Sequence, residues 1–176
     1  MPHELPEGLK RGRSSDRPHP DRATWVRRVL LALPSLLVIL GLANVFGQQA
    51  SESGASSPAA DLRVDAPAHL RGGLMFQVRV QVLAHRRISH PVLLFSHAWF
   101  ESITLNSVNP QPAAGSSVGD RPAFEFSPVA AGHRATYWFE FQVNPTNVGW
   151  RRPENLTLAD GNTTLTSVQR TLTVYP

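Results

Sequence analysis

The chain contains no cysteine at all. That single absence excludes disulfide staples, thiolate metal sites and cysteine nucleophiles together. Any folded part must therefore hold itself together by core burial. Lysine is almost as scarce, since Lys10 alone among the 17 basic residues is lysine; we read this as the codon usage of a GC-rich genome. Charge is thin, at 17% of residues against 41% hydrophobic, lighter than in an ordinary soluble domain. With 176 residues there is room for one domain of usual size and a short additional segment.

What charge there is lies unevenly. The net charge of +4 could point to nucleic acid, but residues 1–28 hold seven basic side chains (Lys10, Arg11, Arg13, Arg17, Arg22, Arg27, Arg28) against four acids. Residues 48–176 hold ten arginines against nine acids. A nucleic-acid-binding domain concentrates its excess on the folded part. Here the excess flanks an apolar run, so no nucleic-acid partner is expected.

That run, Val29 to Gly47, is 19 residues without a charge. As a helix it is about 28 Å long, close to the hydrocarbon thickness of a bilayer. The basic flank precedes it, whereas no Lys or Arg follows until Arg63. The positive-inside rule then predicts a single-pass protein of the cell membrane with a cytoplasmic N-terminus and an extracytoplasmic C-terminal domain. A cleaved signal has an apolar core of roughly 7–15 residues and a small-x-small site. This run exceeds that, and Phe46 to Ala50 matches the site poorly. Ser53-Gly54-Ala55 matches better but lies far from the apolar end. The expectation is an uncut signal anchor at 29–47, preceded by a disordered basic tail at 1–28 and followed by a flexible linker at 48–60.

Residues 61–176 read as strands. Leu74–Ala84 alternates, with Phe76, Val78, Val80 and Val82 to one face and Met75, Gln77, Arg79 and Gln81 to the other. Ala135–Val143 repeats the pattern, placing Tyr137, Phe139, Phe141 and Val143 inward and Thr136, Trp138, Glu140 and Gln142 outward. Both are period-2, half-buried strands. Shorter candidates are Leu62–Asp65, Val92–Phe95, Ser102–Leu105, Ala123–Ser127, Asn155–Leu158 and Thr164–Val174. Breakers such as Arg71-Gly72-Gly73, Ala131-Gly132 and Asp160-Gly161-Asn162 separate them. The predicted fold is all-β, an immunoglobulin-like antiparallel sandwich of two sheets.

"LRVDAPAHLRGGLMFQVRVQV", "ITLNSVNPQPAAG", "FEFSPVAAGHRATYWFEFQV" and "RTLTVYP" together resemble the bacterial immunoglobulin-like surface repeats of unknown function. Pro128 to Gly132 stands where those repeats carry a P-x-x-x-G element before an aromatic strand. The chain departs from them in having one copy and "NLTLADGNTTLTSV" in place of an Asn-rich element. As a whole it resembles small single-pass membrane proteins of actinobacteria with one extracytoplasmic domain. The resemblance implies a fold and a location and no activity.

No catalytic constellation emerges. Ser116, Ser117 and Ser127 lack a nucleophile-elbow pattern. Glu101, Glu125 and Glu140 could pair as acid and base, but opposite arginines they read as outward strand residues. His85, His90 and His97 lack a metal-ligand spacing, although His85 and His90 bracket a loop across which two imidazoles could meet. No metal and no cofactor are expected. An outward Trp138, with Trp99, Phe100, Trp150, Arg151 and Arg152 in loop-like segments, makes a candidate interaction surface, because Trp and Arg dominate interface anchors. The function expected is an anchored module that docks or supports another membrane or cell-envelope protein, with the bilayer as its other partner. A secreted or anchored β-domain binding a small ligand or metal is the alternative.

Overall fold

The computed structural model describes residues 20–43 and 49–176. These form two units, one holding a helix and the other all the strands. The tail residues 1–19, the end of the apolar run at 44–47 and Gln48 lie outside the described residues.

Helix α1 spans Pro20–Leu42. It begins inside the segment expected to be an irregular tail, so residues 20–28 are helical. Leu, Val, Ile and Trp side chains are exposed along its length from Trp25 to Leu42. Within it Thr24–Leu42 has mean hydropathy 1.8 and none of it is buried. The helix is long and apolar enough to cross a bilayer, as a membrane span or as a signal sequence. Pro34 sits inside it, and the neighbouring Ser35 hydroxyl donates to the Leu31 carbonyl at 2.8 Å.

The second unit is a two-sheet sandwich. One sheet contains β1 (Ala50–Ser56), β2 (Ala60–Pro67), β4 (Met75–Ala84), β9 (Arg134–Val143) and β6 (Ile103–Asn109), in the order β1-β2-β4-β9-β6. The other contains β3 (His69–Arg71), β11 (Thr163–Tyr175), β10 (Gly149–Asp160), β5 (Pro91–Phe95), β8 (Arg121–Glu125) and β7 (Ala114–Val118), in the order β3-β11-β10-β5-β8-β7. All pairings are antiparallel except the short β3 beside β11. All eight expected strands are present. The linker expectation at 48–60 is corrected, because β1 runs through it, paired along its length with β2. Its sequence of Ala, Ser, Glu and Gly shows no apolar alternation; ladder hydrogen bonds and the packing of Ala55 on the core hold it.

Alternation decides the core. Phe76, Val78, Val80 and Val82 of β4 and Tyr137, Phe139, Phe141 and Val143 of β9 are all buried. Leu62 and Val64 of β2 join them from the same sheet, and Leu93, Phe95, Leu156, Leu158, Val168, Leu172 and Val174 meet them from the other. Phe95 stands at the centre, with ring centroids at 4.8 Å from Phe139, 5.4 Å from Trp99, 5.8 Å from Phe124, 6.0 Å from Phe100 and 6.4 Å from Phe141. Two turns require glycine. Gly161 opens the two-residue β10–β11 hairpin at φ +56°, as the Asp160-Gly161 pair predicts. At Gly72 a Cβ would lie 2.6 Å from the Pro145 carbonyl oxygen.

The interior also contains charge. Glu154 and Arg170 face each other across β10 and β11 and are both buried. Arg170 Nε is 3.5 Å from Glu154 Oε2, a charge contact longer than a good hydrogen bond. Arg170 Nη2 donates to the carbonyls of Ala66 and Pro67 on β2, tying the two sheets together, and its guanidinium lies 5.4 Å from the Trp99 ring centre. Burial pushes the Glu154 carboxyl up to about 7, against the opposing pull of Arg170 and Arg152.

Two outcomes follow. Phe95→Ala lowers unfolding stability by about 3–5 kcal/mol in urea denaturation, the cost of an aromatic-sized core cavity. The raised Glu154 carboxyl binds its proton more tightly folded than unfolded. Its stabilising share is complete below its ordinary value near 4.5 and is lost as pH rises through about 7. The melting temperature of the native chain minus that of Glu154→Gln therefore grows as pH falls from 8 to 5, checked by calorimetry over about that range. A constant difference contradicts it.

Candidate interaction surface

Alternation that buries one face of β4 and β9 presents Gln77, Arg79 and Gln81, with Thr136, Trp138, Glu140 and Gln142, on the outer face of the five-stranded sheet. Register then builds a row. Glu52, Asp65, Arg79, Trp138 and Asn109 lie side by side across β1, β2, β4, β9 and β6. Asp65 Oδ2 accepts from Arg79 Nε at 2.8 Å and Nη2 at 2.7 Å. The guanidinium lies 5.6 Å from the Trp138 ring centre, a cation–π distance. Trp138 is partly exposed and lies against a cation that is itself paired with a carboxylate. Around this row Arg63 is 3.4 Å from Glu52, and the Ser107 hydroxyl donates to Glu140 Oε2 at 2.9 Å.

The six residues proposed from sequence separate into three places. Trp138 is on the sheet face as expected. Trp150, 75% exposed, and Arg151, at φ +46°, sit in the irregular start of β10. Trp99 corrects the expectation, because it is fully buried. A 3-10 turn at His97–Trp99 swings it between the sheets, where its Nε1 donates to the Asn155 carbonyl at 3.2 Å. Phe100 packs partly buried against the core, and the Arg152 side chain is only 12% exposed, its Nη1 donating to the Glu101 carbonyl at 3.0 Å. Trp99, Phe100 and Arg152 therefore belong to the interior and its rim.

Arg79 and Asp65 are the partners that sequence reasoning missed. Parity along β4 already placed Arg79 outward, but only strand register sets it beside Trp138. The other candidates are dispersed. His85 Nε2 pairs with Asp61 at 3.0 Å, and this bond, with one from Ser56, holds the Asp61 carboxyl below its ordinary value. His90 pairs with Glu125 at 3.0 Å on β8, while His97 opens the 3-10 turn. Glu140 is on the opposite sheet from Glu125, and Glu101 lies in the loop beside Arg152. Ser116 and Ser117 are on the exposed β7, and Ser127 follows β8. Among the described residues no group of three or more His, Asp or Glu side chains converges on a metal position. An open depression of about 450 Å³ runs beside Phe126, Pro128, His133 and Tyr137. Burial pushes the Tyr137 hydroxyl up to about 12.

No family model matches the sequence, and no curated protein matches it either. Solved structures of similar fold exist. CaCohA2 from Clostridium acetobutylicum superposes with a TM-score of 0.44 at 13% identity, covering 68% of this chain and 92% of that one. AvmM, which catalyses macrocyclization in alchivemycin A biosynthesis, gives 0.41 at 11%, covering 74% and 92%. A non-cellulosomal cohesin from Archaeoglobus fulgidus gives 0.36 at 12%, covering 73% and 92%.

The burial difference is directly measurable. Trp99→Ala costs about 3–5 kcal/mol of unfolding stability, whereas Trp150→Ala stays within about 0.5 kcal/mol of the native chain.

Proposed function

We propose that this chain is an anchored extracytoplasmic docking module, with α1 as an uncut signal anchor and the sandwich bound to another membrane or cell-envelope protein. The observation that supports docking most is the Trp138 row. A partly exposed indole on a central strand, pre-oriented by Arg79 and Asp65, loses little side-chain freedom when a partner covers it. The ordered polar side chains around it supply hydrogen bonds for a rim. We read the sandwich as a binding module without catalysis: Glu101, Glu125 and Glu140 lie on separate elements, and His85 and His90 are each paired with a carboxylate on the surface. The topology rests on the basic flank before Val29 and the lack of Lys or Arg between the apolar run and Arg63.

The test is crosslinking in native membranes followed by identification of the attached protein. The native chain is expected in the membrane fraction at full mass and joined to a specific partner. Trp138→Ser, folded by circular dichroism, loses that partner. Retention of the same crosslinked partner by the folded variant overturns the docking face, and a shortened mature chain released from the membrane overturns the anchor.

A further inference from the structure

The two ends of the sandwich differ in chemistry. β1 starts at Ala50, opposite Pro67 at the close of β2. β4 and β10 also start at this end, and β9 and β11 finish there. The backbone joins the sheets here, with Gly72 N–H donating to the Tyr175 carbonyl and Gly73 N–H to that of Val143. Outside α1, the described residues include six exposed large apolar side chains. Five of them, Leu74, Met75, Val148, Trp150 and Tyr175, lie at this end, and Val118 on β7 is the sixth. The local segments 67–75, 144–152 and 173–176 contain Arg71, Arg151 and Arg152 and no Asp or Glu. The neighbouring loop contributes Glu101, which is 3.7 Å from Arg152.

The covalent connection bears on what covers this end. Only residues 43–49 separate the end of α1 from the start of β1, a reach of roughly 25 Å when extended. A helix held in lipid therefore keeps the Ala50 end of the sandwich close to the bilayer. Trp and Tyr are the side chains that favour the headgroup boundary, one part of each ring apolar and the other polar. Arginine without neighbouring acid is drawn to anionic headgroups.

We propose that this end of the sandwich rests on the lipid surface, with Trp150, Tyr175, Val148 and Leu74 at the headgroup boundary and Arg71 and Arg151 against anionic headgroups. This rests on the anchor reading of α1. A protein covering the same end is the competing occupant; the short tether and the aromatic–arginine composition favour lipid.

The cysteine-free chain permits a direct test with the full-length protein in phosphatidylcholine vesicles, with and without phosphatidylglycerol. Single variants Leu36→Cys in α1, Val148→Cys at this end and Asn162→Cys in the β10–β11 hairpin at the opposite end each receive an environment-sensitive fluorophore. Doxyl-labelled phosphatidylcholine serves as quencher. The labels at positions 36 and 148 lose fluorescence, the label at 162 does not, and phosphatidylglycerol strengthens the loss at 148. Adding Trp150→Ser and Tyr175→Ser weakens the loss at 148 while leaving that at 36 unchanged. Quenching at 36 but none at 148 overturns the lipid contact and leaves the anchor standing, including where the 148 label is shielded without being quenched. Absence of quenching at 36 overturns the anchor and the lipid contact with it.

Discussion

The rest of this structure depends on the packing of aromatic rings between two sheets. Phe95 on β5 reaches across to Phe139 and Phe141 on β9, and Trp99 and Phe124 close around it. With no disulfide available, this contact and the aliphatic rows beside it clamp the sheets. Burying each such ring contributes roughly 1.5–3 kcal/mol, and a favourable ring pair adds about 0.5–1.5 kcal/mol. It also fixes the orientation of everything outside. Because Tyr137, Phe139 and Phe141 are committed inward, Trp138 and Glu140 have only the outer face left to them.

Charge enters the interior near the end where the chain begins β1. Glu154 and Arg170 are costly to bury and are not an obvious source of stability. Their geometry instead serves closure. Arg170 takes the backbone carbonyls of Ala66 and Pro67 at the close of β2, beyond the Asp65 end of its pairing with β4, and the indole of Trp99 lies against its guanidinium. Arg152 performs a similar task for the Glu101 carbonyl. Side chains that look like surface anchors in a list of residues thus seal the gap between the sheets.

Two surface regions differ in their physics. The outer face of the five-stranded sheet is polar and carries ion pairs and a cation–π contact. The Ala50 end is apolar, aromatic and basic, and its irregular backbone at Gly149–Arg152 turns Trp150 outward instead of into the core.

The sequence by itself determined the apolar helix, the class of the fold and the inward and outward faces of β4 and β9. Each of these rests on local periodicity, a property of neighbours along the chain. The ends were less legible, since α1 reaches back into the basic segment and stops at Leu42. β1, made of small polar residues, has no periodicity to read and exists because β2 offers it a hydrogen-bonding edge. The candidate surface was legible only at Trp138. Its partners Arg79 and Asp65, the burial of Trp99 and Arg152, and the gathering of Leu74, Val148, Trp150 and Tyr175 at one end were decided by the tertiary structure. Strand register and sheet order bring together residues far apart in sequence, and no local pattern encodes which rows will meet.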